Sequence, residues 1–168
     1  MRHQLTENTK LLHKVVLTHK KDVLILKRSQ SAKTRPGSWD LPGGNSEWPE
    51  NDRAGHGVHK LDIAREIFEE TGITVGPDDF GVDSHSLVYF DTYFDADKQV
   101  FSVICGWTYQ LPDSFDKNDI KISHEHTEAV WIDPKHVDEY DFDSKRGEFI
   151  KKIIKKATNL SQSDWSES

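Results

Sequence analysis

The stretch Arg65-Glu66-Ile67-Phe68-Glu69-Glu70-Thr71-Gly72-Ile73 decides how this chain reads, and it follows the turn Leu41-Pro42-Gly43-Gly44 by about twenty residues. On a helix, at roughly 100° per residue, Glu66, Glu69 and Glu70 fall within about 100° of arc, with Ile63, Ala64, Ile67 and Phe68 on the opposite side. Like charges at i,i+4 destabilise a helix, and a counter-cation removes that problem. Ligand sets made only of oxygen suit the hard ions Mg²⁺ or Mn²⁺, so the run reads as a metal platform. The plainer alternative is a solvated acidic face, the commoner meaning of a charge run.

The context favours the platform. The run R-E-I-F-E-E-T-G-I resembles the second half of the Nudix box, G-x5-E-x7-R-E-U-x-E-E-x-G-U with U aliphatic, and every position from Arg65 to Ile73 matches. The first half departs from the pattern. Gly44 plus five residues reaches Glu50, and Glu47 suits a G-G-x-x-E opening, but fourteen residues rather than seven separate Glu50 from Arg65. The extra seven fall within residues 51–57, where Gly55 and Gly57 argue for a loop. Glu50 is the favoured box glutamate. Placing the gap before it would put Gly57 at that position and lose the carboxylate.

The resemblance implies a set of roles. Glu66, Glu69 and Glu70 are metal ligands, with Glu66 either a ligand or the general base, and the Gly43 carbonyl is a further ligand. Arg65 holds a box carboxylate in a bidentate ion pair. Some members add a carboxylate six residues before a strand tryptophan, which here is Glu125 before Trp131, a candidate fourth ligand or base with Glu128 as competitor. A metal-assisted attack of water on a phosphoanhydride follows, because a divalent ion neutralises the oxygens and orients the phosphate.

Other residues carry weaker signals. Lys27 and Arg28 end a strand and are candidate phosphate contacts, while Lys33 and Arg35 read as solvated loop charges. Trp39, Tyr89 and Phe90 offer a stacking surface for a nucleobase, although core packing is the commoner role of strand aromatics. His56, His59, His124 and His126 lack the spacing of known zinc sites.

Composition bounds the rest. The chain has 168 residues, 35 % apolar and 30 % charged, with a net charge of −7, which argues against a nucleic-acid-binding surface. Its one cysteine, Cys105, lies in a buried-strand pattern and precludes an intramolecular disulfide, which fits a reducing compartment. No run is long enough to span a membrane, and the start of the chain lacks the apolar core of a signal peptide. A cytoplasmic enzyme is expected, with a homodimer left open.

Strands are expected over 11–18, 23–27, 39–41, 87–94, 100–109 and 129–132, and helices over 59–71, 134–140 and 144–156, with residues 43–57 a long loop. Gly72 stops the first helix. Mixed strands with two principal helices indicate an α/β/α sandwich with a mixed sheet between helices, which is also the Nudix architecture. Residues 1–157 read as one hydrolase domain and 158–168 as a frayed tail. The expected activity is Mg²⁺- or Mn²⁺-dependent hydrolysis of a nucleoside diphosphate derivative. The lead-in from Gly37 to Gly44 is most similar to the MutT-like branch, which implies nucleoside triphosphates. A nucleotide- or metabolite-sensing module that has lost turnover is the rival, and an acidic-faced structural protein a third reading.

Overall fold

The computed structural model describes residues 8–49 and 55–158. Glu50, residues 51–54 of the expected insertion and residues 159–168 of the expected tail lie outside the described residues. The strands are β1 (Thr9–His19), β2 (Asp22–Arg28), β3 (Trp39–Asp40), β4 (Gly43–Asn45), β5 (Leu87–Asp95), β6 (Val100–Leu111) and β7 (His126–Ile132). The helices are α1 (His59–Thr71) and α2 (Glu148–Ala157), with 3₁₀ turns at Pro77–Phe80, Val82–Ser84 and Pro134–Glu139.

The strands form one mixed sheet in the order β3-β2-β1-β6-β5, with β4 paired to β1 and β7 to β2. Among the described residues, only β1 and β6 run parallel, in register from Thr9↔Phe101 to His19↔Leu111. Both faces are covered. Val15, Leu17, Leu24 and Leu26 point to the face covered by Ile63 and Ile67 of α1. Val16, Val23 and Ile25 point to the face covered by Ile150, Ile153 and Ile154 of α2. Two-sided burial explains why 23–26 is a continuous apolar run rather than an alternating one. Each fully buried side chain of this size stabilises the fold by about 1.5–3 kcal/mol.

Several expectations change. Residues 43–45 are a short strand rather than loop, because their backbone pairs with Leu12–Lys14 of β1. The segment after Pro134 forms a 3₁₀ turn capped by Asp133, whose side chain accepts from the Lys135 N–H. Helix α2 starts at Glu148 rather than Ser144, since Asp143 sits at φ 71° and its carbonyl takes the Gly147 N–H in a preceding turn. Helix α1 has the expected bounds, ended by Gly72 at φ 75° with its N–H on the Phe68 carbonyl. Cys105 packs in the core at 8 % exposure. Among the described residues, no helix is long and apolar enough to cross a membrane.

Under α1, His13, His59 and Trp107 stack, with ring centroids 5.4 to 6.0 Å apart. The Trp107 indole N–H donates to His13 Nδ1 at 3.0 Å, which puts the imidazole proton on Nε2. His13 is 3 % exposed, and Nε2 has no partner among the described residues. Burial first, then the neighbouring His59, lowers the His13 pKa from 6.5 to about 4 against an opposing pull from Asp62. The unfolded chain therefore takes up a proton that the native state refuses. The stability is fully present above pH 6.5 and falls away as the pH drops towards 4, by about 3 kcal/mol. Because Glu70 titrates with the opposite sign, the slope is read as a difference: urea stabilities of wild type and His13→Phe should diverge by this amount between pH 7 and 4, the variant not losing it. An unchanged slope in the variant would assign the acid sensitivity to other groups.

Candidate active site

The site is built where α1 meets the Leu41–Gly44 turn. Gly43 has φ 136°, and a β-carbon there would lie 2.0 Å from the His13 carbonyl oxygen, so only glycine permits this approach to β1. The Gly43 N–H then donates to Glu70 Oε2 at 2.9 Å. The Glu66 carboxylate packs on Gly44, 3.2 Å from where a β-carbon would sit. One turn thus touches two of the three helix carboxylates.

The helix sits with Glu70 on its buried stripe, beside Ile63, Ile67 and Thr71. Phe68, expected on the apolar side, is 57 % exposed, and Glu70 only 6 %. Burial pushes the Glu70 pKa up from 4.5 to about 8, although the Lys14 ammonium and the Gly43 N–H both favour the charged form. The Glu66 pKa is also raised, by burial and by the Glu69 and Asp62 carboxylates, with Arg65 opposing.

Arg65 is the hub of the outer half. It reaches Asp62 at 2.6 Å, Glu69 at 2.9 Å, Glu66 at 3.1 Å and Glu47 at 3.4 Å. Burial alone would lower its pKa. The bonds to Asp62 and Glu69 and the field of Glu66 raise it instead. Among the described residues, the glutamate preceding the helix that meets Arg65 is Glu47, of the G-G-x-x-E opening.

A second hub lies beneath the turn, and the sequence reading missed it. Asp40 is 1 % exposed, and a single carboxylate oxygen takes Lys14 at 3.0 Å, Arg28 at 3.0 Å and Arg35 at 2.9 Å. Its other oxygen accepts the Leu41 N–H at 2.8 Å. Burial would raise this carboxyl, but Lys14, then Arg35 and Arg28, hold it at about 2. Arg35 is therefore not the solvated loop charge expected, since its side chain is only 9 % exposed. The available signal was Lys14 itself, a charge inside the β-rich run 11–18.

Arg28 spends its guanidinium on Asp40 and on Thr34, through the Thr34 carbonyl and hydroxyl. Lys27 lies 5.7 Å over the Trp39 ring. Trp39 packs edge-on against Tyr140. Trp39 in β3 and Tyr89 and Phe90 in β5 stand at opposite edges of the sheet order, so they do not form one stacking surface. The Tyr89 hydroxyl donates to Asp91 at 3.1 Å. Glu125 is exposed, and its carbonyl takes the Ser29 N–H. Glu128 is also exposed, opposite Lys27. The neighbouring His126 is 6 % exposed, its Nδ1 has no partner among the described residues, and burial lowers its pKa. A cleft of about 280 Å³ is lined by Gln30, Arg35, Ser38, Asp141, Asp143 and Ser144 among others.

Among the described residues, no three His, Cys, Asp or Glu side chains converge as metal ligands. Glu69 is turned to Arg65, and Glu66 and Glu70 lie along the Gly43–Gly44 turn. The donor set still fits a hard divalent ion, since burial raises the pKa of both Glu66 and Glu70 even though Arg65 and Lys14 stand beside them. Glu66, Glu70 and the Gly43 carbonyl would hold such an ion, joined by Glu69 on leaving Arg65, which keeps Asp62 and Glu47 as partners.

The sequence profile of the NUDIX domain family matches residues 14–153. No curated protein sequence matches. Solved structures that share the fold include a MutT protein from Methanosarcina mazei Go1, at 20 % identity over 98 % of this chain and 99 % of that one, with TM-score 0.61. A MutT NUDIX hydrolase from Burkholderia pseudomallei aligns at 17 % identity over 89 % of this chain and 98 % of that one, with TM-score 0.62. An Ap4A hydrolase from C. elegans aligns at 18 % identity over 94 % and 98 %, with TM-score 0.55. With the profile spanning most of its length and the box run laid along α1 against the glycine turn, the chain belongs to the Nudix hydrolases, pyrophosphohydrolases of nucleoside diphosphate derivatives.

Proposed function

We propose that this chain uses Mg²⁺, or Mn²⁺, to hydrolyse a phosphoanhydride bond in a nucleoside triphosphate. The observation that carries the reading is Glu70, a carboxyl sunk to 6 % exposure on the core side of α1 and tied to the Gly43 N–H. A buried acid whose burial outweighs the Lys14 ammonium beside it costs stability when ionised, and a bound divalent ion would relieve that cost. When bound, the ion supplies charge neutralisation of the phosphates and activation of water.

The chain's residues divide the work. Glu66, Glu69, Glu70 and the Gly43 carbonyl hold the ion, with Glu125 as a further carboxylate from the loop before β7. Glu66 or Glu125 takes the proton from the attacking water. Arg65 positions Glu66 and Glu69. The cleft lined by Arg35, Ser38 and Asp141 takes the nucleoside, with Arg35 supplying an Nη1 that is buried without a partner among the described residues. Trp39, whose backbone N–H donates to the Asp141 carbonyl, and Lys27 over its ring are the further candidate contacts. Arg28 acts through Asp40 rather than by touching phosphate, and Tyr89 stands outside this cleft. The lone buried thiol fits a reducing, cytoplasmic setting.

A panel of nucleoside triphosphates, dinucleoside polyphosphates, nucleotide sugars and ADP-ribose, assayed with and without Mg²⁺, tests this. Pyrophosphate release from a triphosphate that stops on chelation is expected. Tight nucleotide binding with no product under any metal would point to the sensor instead.

A further inference from the structure

Strand β5 lies at the edge of the sheet, and among the described residues only β6 pairs with it. The five residues Phe90–Phe94 are all exposed, with Phe90 at 63 %, Tyr93 at 61 % and Phe94 at 51 %. Natural edges are usually guarded by lysine, proline or a bulge. From Tyr89 to Asp95 this one has none of them, since its register shift lies earlier, between Leu87 and Tyr89. The Thr92 N–H donates to Asp91 Oδ1 at 2.8 Å, a bond to an exposed neighbour rather than to the ladder. By the alternation of antiparallel pairing, the Phe90 and Phe94 N–H groups face outward with it.

We propose that a second copy of this chain adds at β5, antiparallel, on a two-fold axis through Thr92. Opposed residues must share a sheet face, which leaves few registers. Centring on Asp91 sets two aspartates against each other and is repulsive. Centring on Thr92 sets Thr92 on Thr92, Phe90 on Phe94, Tyr93 on Asp91 and Tyr89 on Asp95. This makes two aromatic pairs on the α1 face, tyrosine hydroxyls facing carboxylates on the other, and no like charges opposed. The Thr92 N–H exchanges its Asp91 bond for the partner's backbone carbonyl, and Asp91 is released to a partner tyrosine. The inference is independent of the catalytic reading.

The expected strength follows from area and charge. Closing over three partly exposed aromatics per copy buries on the order of 700 Å², short of the roughly 1,200–2,000 Å² of a stable interface. Each copy also carries a net charge of −7. The dimer should therefore be weak, concentration-dependent and strengthened by salt, which screens the repulsion.

Sedimentation of the full chain from about 1 to several hundred µM, at low and high NaCl, tests this. A monomer–dimer equilibrium shifted to dimer by salt is expected, and Thr92→Lys, which places two lysines on the axis, should abolish it without changing the melting temperature. As a second readout, Thr92→Cys should form a disulfide-linked dimer under mild oxidation. Tyr93→Cys, opposite an aspartate, should not, and Cys105 is buried and does not interfere. A monomer at every concentration and salt, β5 amides protected only by a foreign peptide, or a dimer indifferent to Thr92→Lys overturns the proposal.

Discussion

Glu70→Gln should lower kcat/KM by about 10²–10⁴-fold, a loss of roughly 3–5 kcal/mol of transition-state stabilisation, while leaving the metal-free protein as stable as before or more so. The two effects have one cause. Glutamine fills the same space and can still accept the Gly43 N–H, but it cannot ionise. The wild-type carboxyl has a folded pKa of about 8 against 4.5 unfolded. Its stabilising effect is present below pH 4.5 and is lost as the pH rises through 8, because the unfolded chain gives up the proton that the native state holds. Between pH 5 and 9 metal-free wild type should therefore lose stability relative to the variant, by about 4 kcal/mol. Added Mn²⁺ should raise the wild-type melting temperature by mass action and leave the variant's unchanged. A variant that keeps its activity, or that gains as much from Mn²⁺ as the parent, would remove Glu70 from the metal site.

The second large effect is expected at Asp40. Asp40→Asn keeps the volume and removes the charge that Lys14, Arg28 and Arg35 share. Lys14 is 4 % exposed and is left in the interior without its counter-ion. Breaking a buried pair from one side costs about 3–5 kcal/mol, which for a chain of this size lowers the melting temperature by roughly 6–20 °C. Turnover should fall as well, since Asp40 also holds the Leu41 N–H at the head of the turn that carries Gly43. Adding Lys14→Met should recover part of the stability, because the charge left unpaired is then gone. In wild type the Asp40 contribution is present above pH 3.8 and is lost as the pH falls through about 2. Thermal melts of the single and double variants decide the matter. If Asp40→Asn melts within a degree or two of the parent, the buried hub carries little of the stability.

Most of the element pattern was legible before any coordinates. Helix α1 announced both its ends through its periodicity and Gly72, because these are local signals within one or two turns. The β1–β2 and β5–β6 hairpins were legible for the same reason, being apolar runs joined by short polar turns. The box residues from Arg65 to Ile73 and the glycine turn pointed to the same site through their resemblance to the Nudix box. What failed were features set at long range. The pattern gave the angles of Glu66, Glu69 and Glu70 about the helix axis, yet not which arc faces the sheet, so Phe68 rather than Glu70 was expected inside. Arg35 looked like a solvated loop charge and Lys14 drew no reading, since nothing nearby in sequence reveals a carboxylate that closes over them.

The sequence by itself determined the family, the acidic helix and the glycine turn that faces it, all of them encoded within short windows. Only the tertiary structure decided which carboxylate is buried, that Asp40 gathers three cations beneath the turn, and that β5 pairs on one side only among the described residues. Burial and strand pairing depend on groups tens of residues apart being brought into contact, and a local pattern carries no information on where those partners will stand.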